Sequence, residues 1–104
     1  MDEQEQIVIN LIVNAGSARS SAIEAIQYAK AGELDKADES LANAKEAVNE
    51  AHHSQTEMIQ AEIRGEKAPL SLLMVHAQDH LMTAITFIDL AKEVVAVYKK
   101  MAEK

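Results

Sequence analysis

Three long segments of this chain carry apolar residues at steps of three and four positions, and short stretches with glycine or proline separate them. Ala31-Gly32 ends the first segment, and the run from Gly65 to Pro69 ends the second. Steps of three and four place side chains on one face of an α-helix, whereas a strand needs a period of two. The pattern therefore predicts an all-α fold of three long antiparallel helices, forming one domain over residues 1–104.

The composition agrees with this fold and argues against several classes of function. The chain is 48% hydrophobic but only 3% aromatic, which suits helices packed through small side chains better than a β-sandwich. Its net charge of −7 argues against nucleic acid as the main partner, because phosphate backbones are bound by clustered Lys and Arg. The lack of cysteine excludes disulfides, a thiolate nucleophile and cysteine-held zinc. With no signal-peptide pattern at its start, the chain is expected to be cytoplasmic.

The third segment has almost no charged face. Between Ala68 and Ile88 the only formal charge is that of Asp79. A helix that is apolar nearly all round is normally buried on every side, and a three-helix unit of this size cannot bury one of its own helices completely. We therefore expect self-association with the third helix at the centre of the oligomer. Met58, Met74 and Met82, which lie at helical spacing, are expected to fill gaps in the core.

The same segment carries a stripe of polar side chains. At about 100° per residue, Asp79 lies about 60° to one side of His76 and His80 about 40° to the other. Thr83 falls about 20° from His76, two turns further on, whereas Gln78 points elsewhere. Burying an ionisable group costs several kcal/mol unless the group is paired, liganded or neutral. Four polar groups on one narrow arc of an apolar helix therefore need an explanation.

Three interpretations of this stripe compete. The first is a hydrogen-bonded network that sets the register of the helices. The second is a metal site, since a His and an Asp or His three or four positions later can share one ion, with further ligands from His52, His53 or another subunit. The third is nucleophilic catalysis, in which an imidazole forms a covalent intermediate. Spacing alone does not separate the last two.

The second helix adds three polar residues that bear on these alternatives. His52 is expected at the border of the inner face and His53 on the outer surface, and the favoured interpretation of both is an ordinary surface or boundary histidine. Gln55 occupies a core-facing position, where it either sets the register of the helices or belongs to a site that faces the third helix.

The run from Leu73 to Thr83 contains the octet Val-His-Ala-Gln-Asp-His-Leu-Met and resembles the active-site segment of the lactose/cellobiose family of enzyme IIA. Matches at residues 14–20, 49–52 and 55–56 extend the similarity over nearly the whole chain. Proteins of this family belong to the bacterial phosphoenolpyruvate-dependent sugar phosphotransferase system. The resemblance implies a homotrimer of three-helix subunits assembled around helix 3, in agreement with the oligomer expected from apolarity.

The resemblance also implies roles for individual residues. His76 is the expected phosphorylated residue, with HPr as the donor, a cysteine of the cognate enzyme IIB as the acceptor, and the membrane enzyme IIC as the place where sugar receives the group. Asp79 matches the position that meets its symmetry mates on a three-fold axis and binds a divalent cation, usually Mg²⁺. Candidate stabilisers of the transferring phosphoryl group are His80, Thr83, Gln55 and His52.

The expected function is therefore a phosphocarrier for the uptake of a β-linked disaccharide, whose identity a carrier of phosphoryl groups has no reason to encode. The alternative from another class is a structural or regulatory helical trimer without phosphoryl chemistry. A third interpretation, a metal-storage bundle, predicts several ions per subunit instead of one per trimer.

Overall fold

The computed structural model describes residues 3–66 and 70–103, and the regular secondary structure in these ranges is α-helical. Helix α1 spans Glu3–Lys30, α2 spans Leu34–Ile63 and α3 spans Leu72–Ala102. The expectation of three long helices is confirmed, and the expected break at Gly65 lies between α2 and α3. The range 67–69, which includes the proline of that break, lies outside the described residues. Among the described helices, none is long and apolar enough to cross a membrane.

The three helices run up, down and up in a bundle that measures 57 × 24 × 19 Å. Near one end Lys99 of α3 pairs with Asp38 of α2, and toward the other end Gln55 of α2 bonds to Gln78 of α3. These two contacts show that α2 and α3 are antiparallel. Helix α1 packs extensively against both of the others, while α2 and α3 touch each other least. Helix α1 is therefore the main link between the elements of the bundle.

Helices α1 and α2 end in the same glycine-based backbone motif. Gly32 and Gly65 have φ angles of 83° and 91°, in the left-handed region that is costly for a residue with a Cβ atom. The Gly32 N–H donates to the carbonyl of Ala29 at 3.0 Å, and the next N–H donates to the carbonyl of Tyr28 at 2.9 Å. Gly65 and the residue after it make the same pair of bonds. Each glycine thereby satisfies carbonyl groups that a helix end leaves unpaired, and it lets the chain reverse.

Helix α3 begins with a side-chain cap. Ser71 has an extended backbone, and its Oγ accepts a hydrogen bond from the Met74 N–H at 3.1 Å. The cap satisfies one of the N–H groups that have no partner at a helix start. Because the cap determines where α3 begins, it also determines that His76 lies in the second turn of the helix.

The core is built largely from alanine. Small side chains allow close approach of helix axes, because the interaxial distance depends on the residues at the contact. The larger side chains that are fully buried are Leu11, Leu81 and Val95. The buried alanines are Ala15, Ala18, Ala22, Ala25, Ala29, Ala37, Ala44, Ala51, Ala77, Ala84 and Ala91.

Of the three methionines expected in the core, Met74 is buried and Met58 packs against the core. The expectation is wrong for Met82 within the single chain, because Met82 is 51% exposed. Met82 lies about 100° around α3 from the fully buried Leu81, so part of its side chain faces away from the bundle. Its sulfur still lies 3.7 Å from the Nε2 of Gln55. Met82 therefore borders the core without being enclosed by it.

Several ion pairs lie on the surface of the bundle. Lys99 Nζ lies 2.7 and 2.9 Å from the two carboxylate oxygens of Asp38. Lys36 Nζ lies 3.0 Å from Glu33 Oε1, and the hydrogen bond and charge of that carboxylate raise the pKa of Lys36. Such exposed pairs contribute little to stability, so the apolar contacts hold the bundle together.

Candidate functional site

The side of α3 that turns away from α1 and α2 is mostly apolar. Several of its side chains are strongly exposed, including Leu72 at 86%, Leu90 at 60% and Val97 at 57%. Several large apolar side chains exposed along one side of a helix indicate a candidate site of interaction. We use the name Asp79 face for seven exposed residues along this side, Leu72, Val75, Asp79, Met82, Thr86, Leu90 and Val97. Thr83 and Glu93 lie on the same side of the helix.

His76 lies at one border of the Asp79 face. The residue is exposed, and its ring meets the ring of His80 edge-on, with centroids 4.4 Å apart and planes at 88°. In the parts of the chain that the structure describes, no residue forms a hydrogen bond with either ring. A neutral imidazole carries one unprotonated nitrogen, which is a nucleophile and a metal ligand near neutral pH. Both rings therefore keep this nitrogen available.

Asp79 and Thr83 lie on the same exposed side of α3 as the two histidines. No residue in the described ranges donates a hydrogen bond to the Asp79 carboxylate. The Thr83 hydroxyl lies 2.9 Å from the backbone carbonyl oxygen of Asp79 and 3.2 Å from that of His80. Its proton is therefore directed toward the helix backbone. The structure describes all four residues of the polar stripe, and the contact between their side chains is the edge-on contact of the His76 and His80 rings.

Gln55 contacts Gln78 and not His76. Its Nε2 donates to Gln78 Oε1 at 2.6 Å, and the side chain is only 8% exposed. The Nε2 of Gln78 in turn lies 3.6 Å from the sulfur of Met74. Gln78 is about 160° around α3 from His76. Within one chain, the Gln55 amide therefore lies on the side of α3 opposite to the candidate nucleophile.

The contact between these two glutamines was not among the expectations from sequence. The signal for it was present, because both are polar residues on surfaces where α2 and α3 face each other. Antiparallel helices also bring residue 55 of one and residue 78 of the other to the same level. Two amides at one level between two apolar surfaces are each other's natural partners, since buried polar groups are nearly always hydrogen-bonded.

His52 and His53 are exposed on α2 and take no part in the contact between His76 and His80. His52 lines a groove of about 230 Å³ between α2 and α3, together with Ile85 and Asp89. The Nε2 of His53 lies 3.3 Å from Glu57 Oε1 on the outer surface of α2. In residues 3–66 and 70–103, no three His, Asp or Glu side chains converge where they could hold a metal ion.

Comparison with known proteins identifies the family. A family model described as "PTS system, Lactose/Cellobiose specific IIA subunit" matches residues 6–99. The chain is 50% identical over 103 residues to the lichenan-specific phosphotransferase enzyme IIA component of Bacillus subtilis (strain 168), covering 99% of this chain and 94% of that protein. The crystal structure of the PTS cellobiose-specific enzyme IIA from Bacillus anthracis matches with a TM-score of 0.93 at 57% identity, covering 97% of this chain and 93% of that one.

A further match is the IIA(chitobiose) protein of Escherichia coli, solved in solution in complex with HPr. Its TM-score is 0.85 at 37% identity, and the match covers 99% of this chain and all of that one. The chain belongs to the lactose/cellobiose family of enzyme IIA components. It is a phosphotransferase component of sugar transport that passes a phosphoryl group from HPr to enzyme IIB. The family expected from the octet is confirmed, which sets aside the alternative of a helical assembly without phosphoryl chemistry.

Proposed function

We propose that His76 carries the phosphoryl group between HPr and a cysteine of enzyme IIB, and that the group finally reaches a β-linked disaccharide at the membrane enzyme IIC. The observation that carries the proposal is the exposed His76 ring, which meets no hydrogen-bonding partner among the described residues and lies within the segment that the family model covers. His53, in contrast, lies beside a carboxylate on the far surface of α2. The proposal includes a cytoplasmic location, where phosphoenolpyruvate supplies the group.

Two transfers follow one another at the same nitrogen. The unprotonated nitrogen of His76, Nε2 by analogy with the family, attacks phosphorus from the side opposite to the bond that breaks. As the new P–N bond to His76 forms, the P–N bond to HPr breaks and the HPr histidine keeps its electron pair. In the second transfer the thiolate of enzyme IIB attacks the same phosphorus, and His76 leaves with the electron pair of its own P–N bond.

His80 and Thr83 are proposed to stabilise the transferring group from the same helix. A phosphoryl group in transit spreads negative charge over its oxygens, so positioned donors lower the barrier. The His80 ring, 4.4 Å from that of His76, would donate an N–H to such an oxygen. The Thr83 hydroxyl would first have to turn away from the Asp79 carbonyl, 2.9 Å away, so its contribution is expected to be the smaller one.

We further propose a homotrimer in which three copies of α3 surround an axis with their Asp79 faces inward. A single chain leaves Leu72, Leu90 and Val97 mostly exposed, and burying a side chain of this size stabilises an assembly by about 1.5–3 kcal/mol. In a closed cyclic assembly, a second and a third copy of the chain would present the same exposed apolar side chains to one another.

A cyclic trimer also changes the surroundings of His76. Every interface in such an assembly joins one flank of a chain to the opposite flank of the next. His76 lies on one flank of the Asp79 face, while Met82 and then Gln78 lie on the other. Gln55, which bonds to Gln78, thus belongs to the proposed phosphoryl site as a residue of the adjoining subunit.

The centre of the proposed trimer would hold Mg²⁺ between three Asp79 carboxylates. The donor chemistry fits, because Mg²⁺ prefers carboxylate oxygens and water, and no described residue donates to the Asp79 carboxylate. Three carboxylates that converge on an axis repel one another and take up protons unless a cation compensates their charge. The ion would supply this charge compensation within the assembly.

The intact mass of the protein tests the role of His76. We would incubate wild type, His76→Gln and the matched control His53→Gln with phosphoenolpyruvate, enzyme I and HPr. Wild type and His53→Gln should each gain one acid-labile phosphoryl group per chain, while His76→Gln should gain none and keep its helical circular dichroism. Phosphorylation of His76→Gln at the wild-type level would overturn the assignment.

A further inference from the structure

We propose that His76 and His80 together form a bidentate site for Zn²⁺, and that zinc bound there blocks phosphorylation of His76. The binding depends only on the geometry of the two rings, whereas the blocking depends on the role proposed for His76 above. The site is separate from the proposed Asp79 site, because imidazole nitrogens suit zinc and carboxylate oxygens suit magnesium.

The spacing of the two histidines favours a shared ion. Residues four apart lie on the same side of an α-helix, and a pair of histidines at this spacing is a recurrent zinc-binding arrangement. Two imidazoles bound to one tetrahedral zinc ion at about 2.0–2.1 Å have ring centres about 5 Å apart. The ring centres of His76 and His80 are 4.4 Å apart. The separation of the rings therefore suits one shared ion, and rotation of the side chains out of their edge-on arrangement would bring one nitrogen of each ring to it.

The two rings are also free to bind. His76 is exposed and His80 is half-buried, and no described residue competes for their nitrogens through a hydrogen bond. The other pair at this spacing that contains a histidine is His53 with Glu57, where Nε2 and Oε1 lie 3.3 Å apart on a strongly exposed surface. That pair offers one imidazole and one carboxylate, a poorer zinc donor set than two imidazoles.

The site would be open and its affinity moderate. In the described ranges no third His, Asp or Glu converges with the two rings, so water would complete the coordination. Closed structural zinc sites have four protein ligands, whereas sites with fewer protein ligands keep positions for water or other molecules. Zinc at this pair would therefore bind reversibly.

Zinc binding and phosphorylation of His76 would exclude each other. Coordination uses the lone pair of an unprotonated imidazole nitrogen, and attack on phosphorus uses the lone pair of the same ring. A ring that has given this pair to zinc is no longer a nucleophile. We therefore expect zinc to slow the acceptance of phosphoryl groups from HPr, and removal of zinc by a chelator to restore it.

Zinc titration of the full unphosphorylated chain tests the binding. A chromophoric chelator would compete for Zn²⁺ in an excess of Mg²⁺, so that oxygen sites remain filled. We expect one zinc ion per chain in wild type and in His53→Gln. His80→Gln and His76→Gln should bind at least about tenfold more weakly, since even outer-shell changes reduce metal affinity about 10–100-fold. Equal affinity in wild type and both of these variants would overturn the site.

A spectroscopic measurement on the wild-type chain tests the same site without a substitution that could disturb folding. Zinc should move the imidazole ¹⁵N resonances of His76 and His80 in the wild-type chain. Shifts confined to His52 and His53 would overturn the site. If zinc bound the pair but phosphorylation by phospho-HPr continued at its full rate, the blocking would be wrong and the role of His76 would be in doubt. If zinc did not bind while His76 was phosphorylated normally, only the zinc site would be wrong.

Discussion

The hydrogen bond between Gln55 and Gln78 gives a quantitative test of how α2 is joined to α3. The Nε2 of Gln55 lies 2.6 Å from the Oε1 of Gln78, and Gln55 is only 8% exposed. The bond joins α2 to α3, the pair of helices with the smallest contact in the bundle. We would replace each residue by methionine, which has a similar length and no amide. The set consists of Gln55→Met, Gln78→Met and the double variant.

The expected free energies follow from what each change leaves unpaired. Gln55→Met removes the donor to the half-buried Gln78 Oε1, and an unpaired buried polar group costs about 1–3 kcal/mol. Gln78→Met removes the acceptor of the Gln55 amide, at a similar cost. Replacing both by apolar groups of the same shape is nearly neutral. The coupling free energy is the sum of the two single costs when the double variant is nearly neutral. It is therefore expected to be about 2 kcal/mol, with each single cost at the lower end of its range because Gln78 is partly exposed.

Urea unfolding followed by circular dichroism would measure these values. Protein concentration must be the same for all variants, because the stability of an oligomer depends on it. A loss of about 1 kcal/mol should also lower Tm by about 4–8 °C in a domain of this size. Gln60→Met, at an exposed position of α2, is the matched control and should change stability by less than about 0.5 kcal/mol. Additive costs in the double variant would refute the argument.

Three further predictions concern the fold and the assembly. Ser71→Ala should cost about 0.5–2 kcal/mol in thermal unfolding, because the cap to Met74 N–H is lost, and an unchanged Tm would contradict the cap. Gly65→Ala should lower stability by about 1 kcal/mol, because Gly65 has a φ of 91°. Gly16→Ala in the interior of α1 should raise stability by up to about 1 kcal/mol, because nothing lies within 4 Å of the new methyl group. A stabilising Gly65→Ala together with a destabilising Gly16→Ala would contradict these backbone effects. Asp79→Leu should keep or strengthen the trimer while abolishing Mg²⁺ binding, and loss of the trimer in sedimentation would show that the ion holds the assembly together.

The helices were predictable because their signals are local. Period-three and period-four spacing of apolar residues depends only on neighbours along the chain, and glycine at 32 and 65 satisfies a requirement for positive φ that few other residues meet. These features predicted three helices and the break at Gly65.

The exposure of Met82 and the bond between Gln55 and Gln78 depend on how α2 approaches α3. Helical spacing places Met82 near the core, but the small contact between these two helices leaves half of its side chain outside. Periodicity shows which side of its own helix a residue occupies, whereas the level and distance of the opposite helix follow from the packing of the whole bundle.

The candidate site was predictable from the sequence only in part. Angular spacing placed His76, Asp79, His80 and Thr83 on one arc, and the structure has them on one exposed side of α3. The direction of the Thr83 hydroxyl toward the Asp79 carbonyl was not predictable from that arc, because rotamer and backbone partner are local choices within the turn. The family came from a specific octet, which spacing alone does not replace.

A chase experiment would show whether His76 holds the phosphoryl group on its way from HPr to enzyme IIB. The protein would be phosphorylated, separated from HPr and phosphoenolpyruvate, and mixed with its enzyme IIB while the intact masses of both proteins are followed. The phosphoryl group on His76 should disappear as an equal amount appears on enzyme IIB. Phosphorylated enzyme IIB formed through His76→Gln at the wild-type rate, or a group on His76 that never leaves, would contradict this role of His76.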